Sequence, residues 1–529
     1  MFKPYDQQKF LKISQNIDCV GCIHIDPDND NDINIGIIDM KTSKVFELIQ
    51  YARNYSKRFL DDIPTIFSNF KAMIVNLYEM QNIFVYPGFK NDIEFCKAIK
   101  DKLNSINIPS YFLSHDDSLT GALIVASKID FKFGEKICSI FIYEDNIAIQ
   151  EMEFTKNGIK ITAVGQYTIQ QYANSEVVRN EIVGAKKFDH TLLCSKSPGM
   201  PLMKLLKEQV FKADKPKIFE NDIINNTLLF VVETAKWLLD KSYTKFYILP
   251  LCDRVYKICK NDETILEVML DEALPLLKSI IVDDSSLKYT FSYRKQNEVD
   301  FDVIKELKFN KIFGKHKITV TVDEENFPNC CVNAVVPKNV HNLPQNLDKQ
   351  LSSKVPVIGF HDQSSVILVN KNDENLYKFL DSWNVMNGKE LFMSFDEEKY
   401  KYFEKAAAVF KTKPSFVVYD LIKIMSMPSD EIKVDKKWKF TFSEDSENPL
   451  LLEFDTFSGM RRAATPVFLI KLLLKKHLKA IKKETGEMPK ELAFCFFDKF
   501  GDSEAKNRVE KGFKEVCKQL KIDFSFVDL

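Results

Sequence analysis

Glycine is scarce in this chain, with 16 residues among 529. Backbone N–H groups approach a phosphate closely only where no Cβ intervenes, so a glycine-poor sequence has room for few phosphate-cradling loops. Walker A, GxGxxG and GxSxG patterns are all absent. An excess of charge of one sign is also missing: 74 basic and 75 acidic residues leave a net charge of −1. That provides no whole-molecule field for nucleic acid or an anionic membrane. No run reaches the roughly 18 apolar residues of a spanning helix, and MFKPYDQQKFLKIS at the N-terminus has no apolar signal-peptide core. The seven histidines form no HExxH pattern, and the eleven cysteines do not make two pairs at metal spacing. Scattered cysteines fit reduced thiols and a cytoplasmic or nuclear setting. Cys19 and Cys22 form a CxxC, but it lies in an apolar run and reads as core.

What is present is an ordinary globular composition, 45% hydrophobic and 28% charged, enough for two to four domains. The organising stretch is Gly134–Ile169. It reads as three strands: Ile137–Tyr143, continuously apolar, then Asn146–Phe154 and Gly158–Val164, half-alternating and rich in Ile, Thr and Val. Cys19–Ile25 and Ile35–Asp39 read as a hairpin with an acidic tip. Its Asp26, Asp28, Asp30 and Asp32 have the spacing of a calcium loop, but Gly at position six and Glu at position twelve are missing in either count. A solvated turn is the reading. Helical periodicity predicts helices over Gln7–Ile13, Ile66–Met80, Asp92–Leu103, Ser118–Lys128, Thr227–Lys241 and Thr264–Ser279. Strands are expected at Ile83–Tyr86, Ile108–Leu113 and Lys245–Leu251, followed by a small β segment at Lys288–Tyr293, Lys317–Val322 and Cys330–Val336. Polar Pro337–Lys354 reads as a linker. Beyond it lie strands Val355–Phe360, Ser365–Val369, Trp438–Phe442 and Leu450–Phe454. A helix then starts at its N-cap Thr465, with Pro466 at N1, and stops at Gly486. The lysine-rich side of that helix, Leu474–Lys483, reads as a solvated face. A β-α-β unit closes the chain: Leu492–Phe497, Ser503–Leu520, Phe524–Asp528. Ile83–Leu113 has the same strand-loop-helix-strand plan as Leu492–Leu529, which suggests two copies of one α/β module.

In order along the chain, these pieces resemble the seventy-kilodalton heat-shock chaperone family. The resemblance rests on PSYFLSHDDSLTGALIVAS, GEKICSIFIYEDN, GIKITAVGQ and VGAKKFD in the first copy. It continues with KHKITVTVDEENFPNCCVNAV, which is similar to the end of the family's substrate-binding β domain. In the second copy it rests on PVIGFHDQSSVILV, FVVYDLIKIM, KKWKFTF and FFDKFGDSEAKNRVEKGF. The fold implied is α/β, with actin-like (ribonuclease-H-like) ATPase-type modules and a small β segment between them. The domains implied are a degenerate actin-like domain over 1–285, the β segment over 286–336, a linker over 337–354 and a half-length second module over 355–529.

The departures from the family pattern fall on its chemistry. Its first phosphate loop, Asp-Leu-Gly-Thr-Thr, aligns with His361, Asp362, Gln363, Ser364 and Ser365: both hydroxyls remain, the metal-side aspartate and the glycine do not. The first copy has the Asp26–Asp32 turn at that place. The catalytic lysine falls on Ile422, beside Lys423, and the second phosphate loop falls on glycine-free Ile142–Asn146. If a nucleotide binds at all, the resemblance assigns it Gly359, Ser364, Ser365 and Lys423. Like charges about 4 Å apart at an effective dielectric near 20 repel by about 4 kcal/mol, half of what a micromolar site supplies. The expectation is a binding, scaffold or co-chaperone-like protein without ATPase activity, with no cofactor and no catalytic or metal-binding residue. Its partners would be proteins (chaperones or client polypeptides), and neither nucleic acid nor membrane. The alternative is an ATP-hydrolysing chaperone that uses ATP and Mg.

Overall fold

The structure, a computed structural model, describes residues 14–528 apart from 16, 27–31, 78–86, 145, 170–173, 196, 221–222, 284–287, 297, 310, 313, 352–353, 371–375 and 499. The expected helix Gln7–Ile13, the strand Ile83–Tyr86 and the tip of the aspartate turn lie outside the described residues. The chain is mixed α/β and divides into two compact units. Unit 1 comprises residues 1–278, 290–306 and 320–330; unit 2 comprises 279–289, 307–319 and 331–529.

Unit 1 contains two five-stranded sheets. The first is built from β1 (Cys19–Asp26), β2 (Asp32–Asp39), β3 (Val45–Tyr51), β4 (Ala72–Asn76) and β5 (Ser110–Phe112), in the order β3-β2-β1-β4-β5. The three sequential strands are antiparallel, and the pairs β1–β4 and β4–β5 are parallel. Helix α1 (Ser56–Ile66) precedes β4, and α2 (Asp92–Ser105) links β4 to β5. The period-2 alternation of a strand is visible in β1: Cys19 and Ile23 enter one core, Val20 and Cys22 the other. Here the expected helix Ile66–Met80 is corrected. The helix ends at Ile66, and AMIVN is a strand buried on both faces, where β-branched side chains fit a central position better than a helix. The strand parallel to β5 is therefore β4, ten residues earlier than the repeat suggested.

After α3 (His115–Ser127), the organising stretch opens the second sheet: β6 (Lys136–Ile142), β7 (Asn146–Thr155) and β8 (Gly158–Thr168), then β9 (His190–Ser195) and β10 (Lys217–Glu220). Its order is β10-β9-β6-β7-β8, again with the sequential strands antiparallel and β6–β9 and β9–β10 parallel. Helix α4 (Ile223–Leu239) runs beside α3, and both lie in one core with Val20 and Ile74 of the first sheet and Ile137 and Leu192 of the second. The helices come close enough that a Cβ on Gly121 would meet the Phe230 ring at 2.2 Å.

The region after α4 is largely β. Lys245–Leu251 contains only isolated bridges. In place of a helix over Thr264–Ser279 there are strands: β11 (Arg254–Lys260) pairs with β12 (Glu263–Val268), and β13 (Leu276–Val282) follows. Pro275 would have fallen inside that helix, where it lacks an N–H and clashes with the preceding turn. β14 (Tyr289–Lys295), β15 (Asp302–Glu306), β16 (His316–Val322) and β17 (Pro328–Ala334) complete the small β segment.

In unit 2, Pro337–Lys354 does not run as an unpacked linker. It holds two short helices, Lys338–His341 and Leu343–Gln350, whose Val340, Leu343 and Leu347 are fully buried. They cover one face of a third sheet, six-stranded, whose main path is β18 (Val357–His361), β19 (Ser364–Asn370), β20 (Tyr377–Phe379), β21 (Glu491–Phe496) and β22 (Asp523–Phe526), with the two-residue strand Lys389–Glu390 paired to β19 off that path. Its order is β20-β19-β18-β21-β22, with the pairing pattern of the other two sheets. The other face carries α5 (Pro466–Thr485) and α6 (Ser503–Leu520). The boundaries of α5 are those the sequence gives: Thr465 Oγ1 accepts from Phe468 N at 3.2 Å, and Gly486 ends it with φ +88°.

Candidate functional site

The C-terminal ends of parallel strands are where open α/β sheets gather chemistry. In the third sheet, β18 ends at His361 and β21 leads into Asp498, so the β18–β19 turn and Asp498 come together. Asp362 takes the turn with φ +46°, and its N–H donates to Asp498 Oδ1 at 2.6 Å. Burial pushes the Asp498 carboxyl up to about 7; the Asp362 N–H opposes this, and the Asp362 and Asp420 carboxylates add to it. Asp420, also raised by burial, accepts from Trp438 Nε1 at 2.9 Å. Three carboxyl groups, Asp362, Asp420 and Asp498, thus gather at this end of the sheet.

The four expected nucleotide contacts all lie in unit 2, but each is committed elsewhere. Gly359 is mid-strand, paired with Val366 on one side and Cys495 on the other. An added Cβ there would lie 3.0–3.3 Å from Val366, Phe497 and Leu343, so this glycine makes room for side chains and not for a phosphate. Ser365 is fully buried. His477 Nδ1 faces Leu473 O, an acceptor only, at 2.9 Å, so that nitrogen carries the proton and Nε2 accepts. Ser365 Oγ donates to Nε2 at 2.8 Å and accepts from Trp383 Nε1 at 3.2 Å. Ser364 is buried as well, and its Oγ accepts from Lys311 Nζ at 3.0 Å. Lys423, on the short helix Leu421–Ser426, is half exposed and pairs with Asp435 at 3.0 Å. Ile422, at the family's lysine position, is buried.

His361 is the last residue of β18. It is buried, both ring nitrogens lack a hydrogen-bond partner, and its nearest carboxylate, on Asp362, is 3.9 Å away. Burial lowers its pKa, so the ring stays neutral. Sequence reasoning passed over Asp498, Asp420 and Lys311. Asp498 carried a usable signal, a lone carboxylate directly after the apolar run FCFF. Lys311 carried none, because it reaches Ser364 from the distant 307–319 segment.

In the second sheet, the hairpin turn at the place of the second phosphate loop has Tyr143 N bonded to Asn146 O at 2.8 Å, and Tyr143 and Glu144 are exposed. No group of three metal-capable side chains occurs among the described residues, and no helix among them is long and apolar enough to cross a membrane. No protein-family model matches this chain, and no curated protein matches it significantly.

One glycine beside β19, between the 3-10 turn Val385–Asn387 and the strand Lys389–Glu390, is conformationally required. Gly388 has φ +63° and ψ −167°, a region almost confined to glycine, and a Cβ there would meet the Ser365 carbonyl oxygen at 2.2 Å. Gly388→Ala is expected to lower the stability of unit 2 by about 2 kcal/mol, read as a shift of its denaturant midpoint at constant slope.

Proposed function

We propose that the protein is a diverged relative of the seventy-kilodalton heat-shock chaperones that keeps actin-like modules and acts as a binding or scaffold protein without ATPase activity. The architecture supports the kinship. Three sheets share one five-strand order and one pairing pattern, the repetition expected if two actin-like lobes are followed by one lobe of a second module. The observation that carries the loss of activity is the state of the phosphate-loop position in unit 2. Ser365 is held by His477 and Trp383, Lys423 is held by Asp435, and the strand ends present Asp362, Asp420 and Asp498. Phosphoryl transfer is driven by positioned cations and donors, and Lys423 is already paired with Asp435 while Lys311 is engaged by the Ser364 hydroxyl. The partners proposed are chaperones or client polypeptides.

A phosphate-release assay with Mg-ATP, run beside light scattering of a heat-denatured client, tests the proposal. The expected result is no turnover above the enzyme-free rate, together with suppression of client aggregation that ATP does not change. Turnover that disappears in Lys423→Ala would establish the ATP-hydrolysing alternative.

A further inference from the structure

Five lysines of unit 2, Lys475, Lys476, Lys479, Lys482 and Lys521, line a groove of about 700 Å³, and no acidic residue lines it. In a chain of net charge −1 this is a strong local departure. Lys475, Lys479 and Lys482 fall at i, i+4 and i+7 of α5 and so form one stripe about 10 Å long. Among the described residues, none of the five reaches a carboxylate within ion-pair distance. Lys476 instead lies over the Tyr402 ring at 4.2 Å, and burial together with the like charges of Lys479 and Lys399 lowers its pKa. Between the lysines the floor is apolar: Leu472, Met488, Pro489, Leu520 and Ile522. Met488 is 46% exposed, which leaves a flexible, polarizable side chain free to fit an incoming surface.

We infer that this groove is a docking site for an acidic, amphipathic peptide segment of a partner protein, whose carboxylates meet the lysine stripe while its apolar side chains cover the floor. Charge complementarity selects the acidic partner, and the apolar floor selects a peptide over a bare polyanion. A bilayer is too flat to enter a concave groove. Nucleic acid gains from aromatic platforms, and the aromatic ring here, Tyr402, is already covered by Lys476. Lysines are compact, hydrated point charges without the planar fork that reads bases. The inference goes beyond the preceding reading and does not depend on it, since Mg-ATP binding would leave the groove and its charge unchanged.

The test is fluorescence anisotropy of the full chain with a labelled peptide of two glutamate–leucine heptads. Binding is expected with a Kd of roughly 10–100 μM, several-fold weaker when salt is raised above the physiological level. Lys475→Glu/Lys479→Glu/Lys482→Glu should weaken it at least tenfold, and Met488→Asp should weaken it about threefold. All four substituted side chains are exposed, so unchanged circular dichroism and melting check that the variants fold. The proposal is overturned if the wild-type chain does not bind or if the triple variant binds equally well. It is likewise overturned if polyglutamate, oligothymidine or phosphatidylserine vesicles compete as strongly as the peptide itself.

Discussion

Replacing Asp92 by alanine is expected to destabilise unit 1 by about 3–5 kcal/mol, the loss typical of breaking a buried ion pair from one side. Asp92 stands at the first position of α2 with its side chain 4% exposed. It faces Arg254, 1% exposed, at 3.1 Å, and Lys295 at 3.2 Å. Tyr293 OH donates to its other oxygen at 3.2 Å. Burial alone would raise the Asp92 carboxyl, but Arg254 and Lys295 outweigh it and hold the pKa below the usual carboxylate range. The group therefore contributes stability above its unfolded pKa, and that contribution fades as pH falls through the lower folded value. The alanine variant leaves a guanidinium buried without this carboxylate, which is why the loss exceeds that of a neutral hydrogen bond. Asp92→Ala/Arg254→Met should recover part of the loss, because the buried guanidinium, left with Asp253 at 3.7 Å as its carboxylate, goes with the arginine. Equilibrium denaturation of the single and double variants measures both. A loss below about 1 kcal/mol for Asp92→Ala would mean that water reaches the pair.

The second large effect concerns acid. His477 is fully buried under β19; burial drives its pKa down to about 4, and its bond to the Leu473 carbonyl opposes this only in part. An unfolded histidine titrates near 6.5. Between those values the unfolded chain takes up a proton that the folded chain refuses. The contribution is thus complete above about pH 6.5 and lost as pH falls toward 4, by about 3 kcal/mol. His477→Leu, paired with Ser365→Ala to remove the hydroxyl left unsatisfied, should abolish this acid-side loss in unit 2, read as a stability difference from the wild type that changes by about 3 kcal/mol across that window. Asp498, raised to about 7, gives an opposite slope over much of the same range, so the comparison must be made between variants and not across pH alone.

Much of the fold could be read in the residues because local and tertiary preferences agree in those places. The three strands of the organising stretch, the capped helix α5 and the helix Ser503–Leu520 are present with nearly the expected bounds. Errors arose where an apolar stretch satisfied two periods at once. AMIVN continued the apolar run of α1, and only its burial on both sides makes it β4. In β13, Leu277 and Ile281 are 64% and 57% exposed, so apolar residues occupy the open face as well and the strand alternation was blurred. The helices of the supposed linker were hidden because only Val340, Leu343 and Leu347 anchor them, too few to show a pattern among polar neighbours. At the candidate site, motif position located the β18–β19 turn. What each side chain does there depends on partners more than 100 residues away, such as His477 for Ser365 and Asp498 for Asp362. No local pattern encodes those pairings.

Isothermal titration of the full chain with Mg-ATP and then Mg-ADP addresses the central claim most directly. No heat beyond dilution is expected at nucleotide concentrations approaching millimolar, since repulsion at the acidic strand ends takes about half of the roughly 8 kcal/mol that micromolar binding requires and Ser365 and Lys423 are engaged elsewhere. A saturable, one-to-one isotherm in the micromolar range would contradict it.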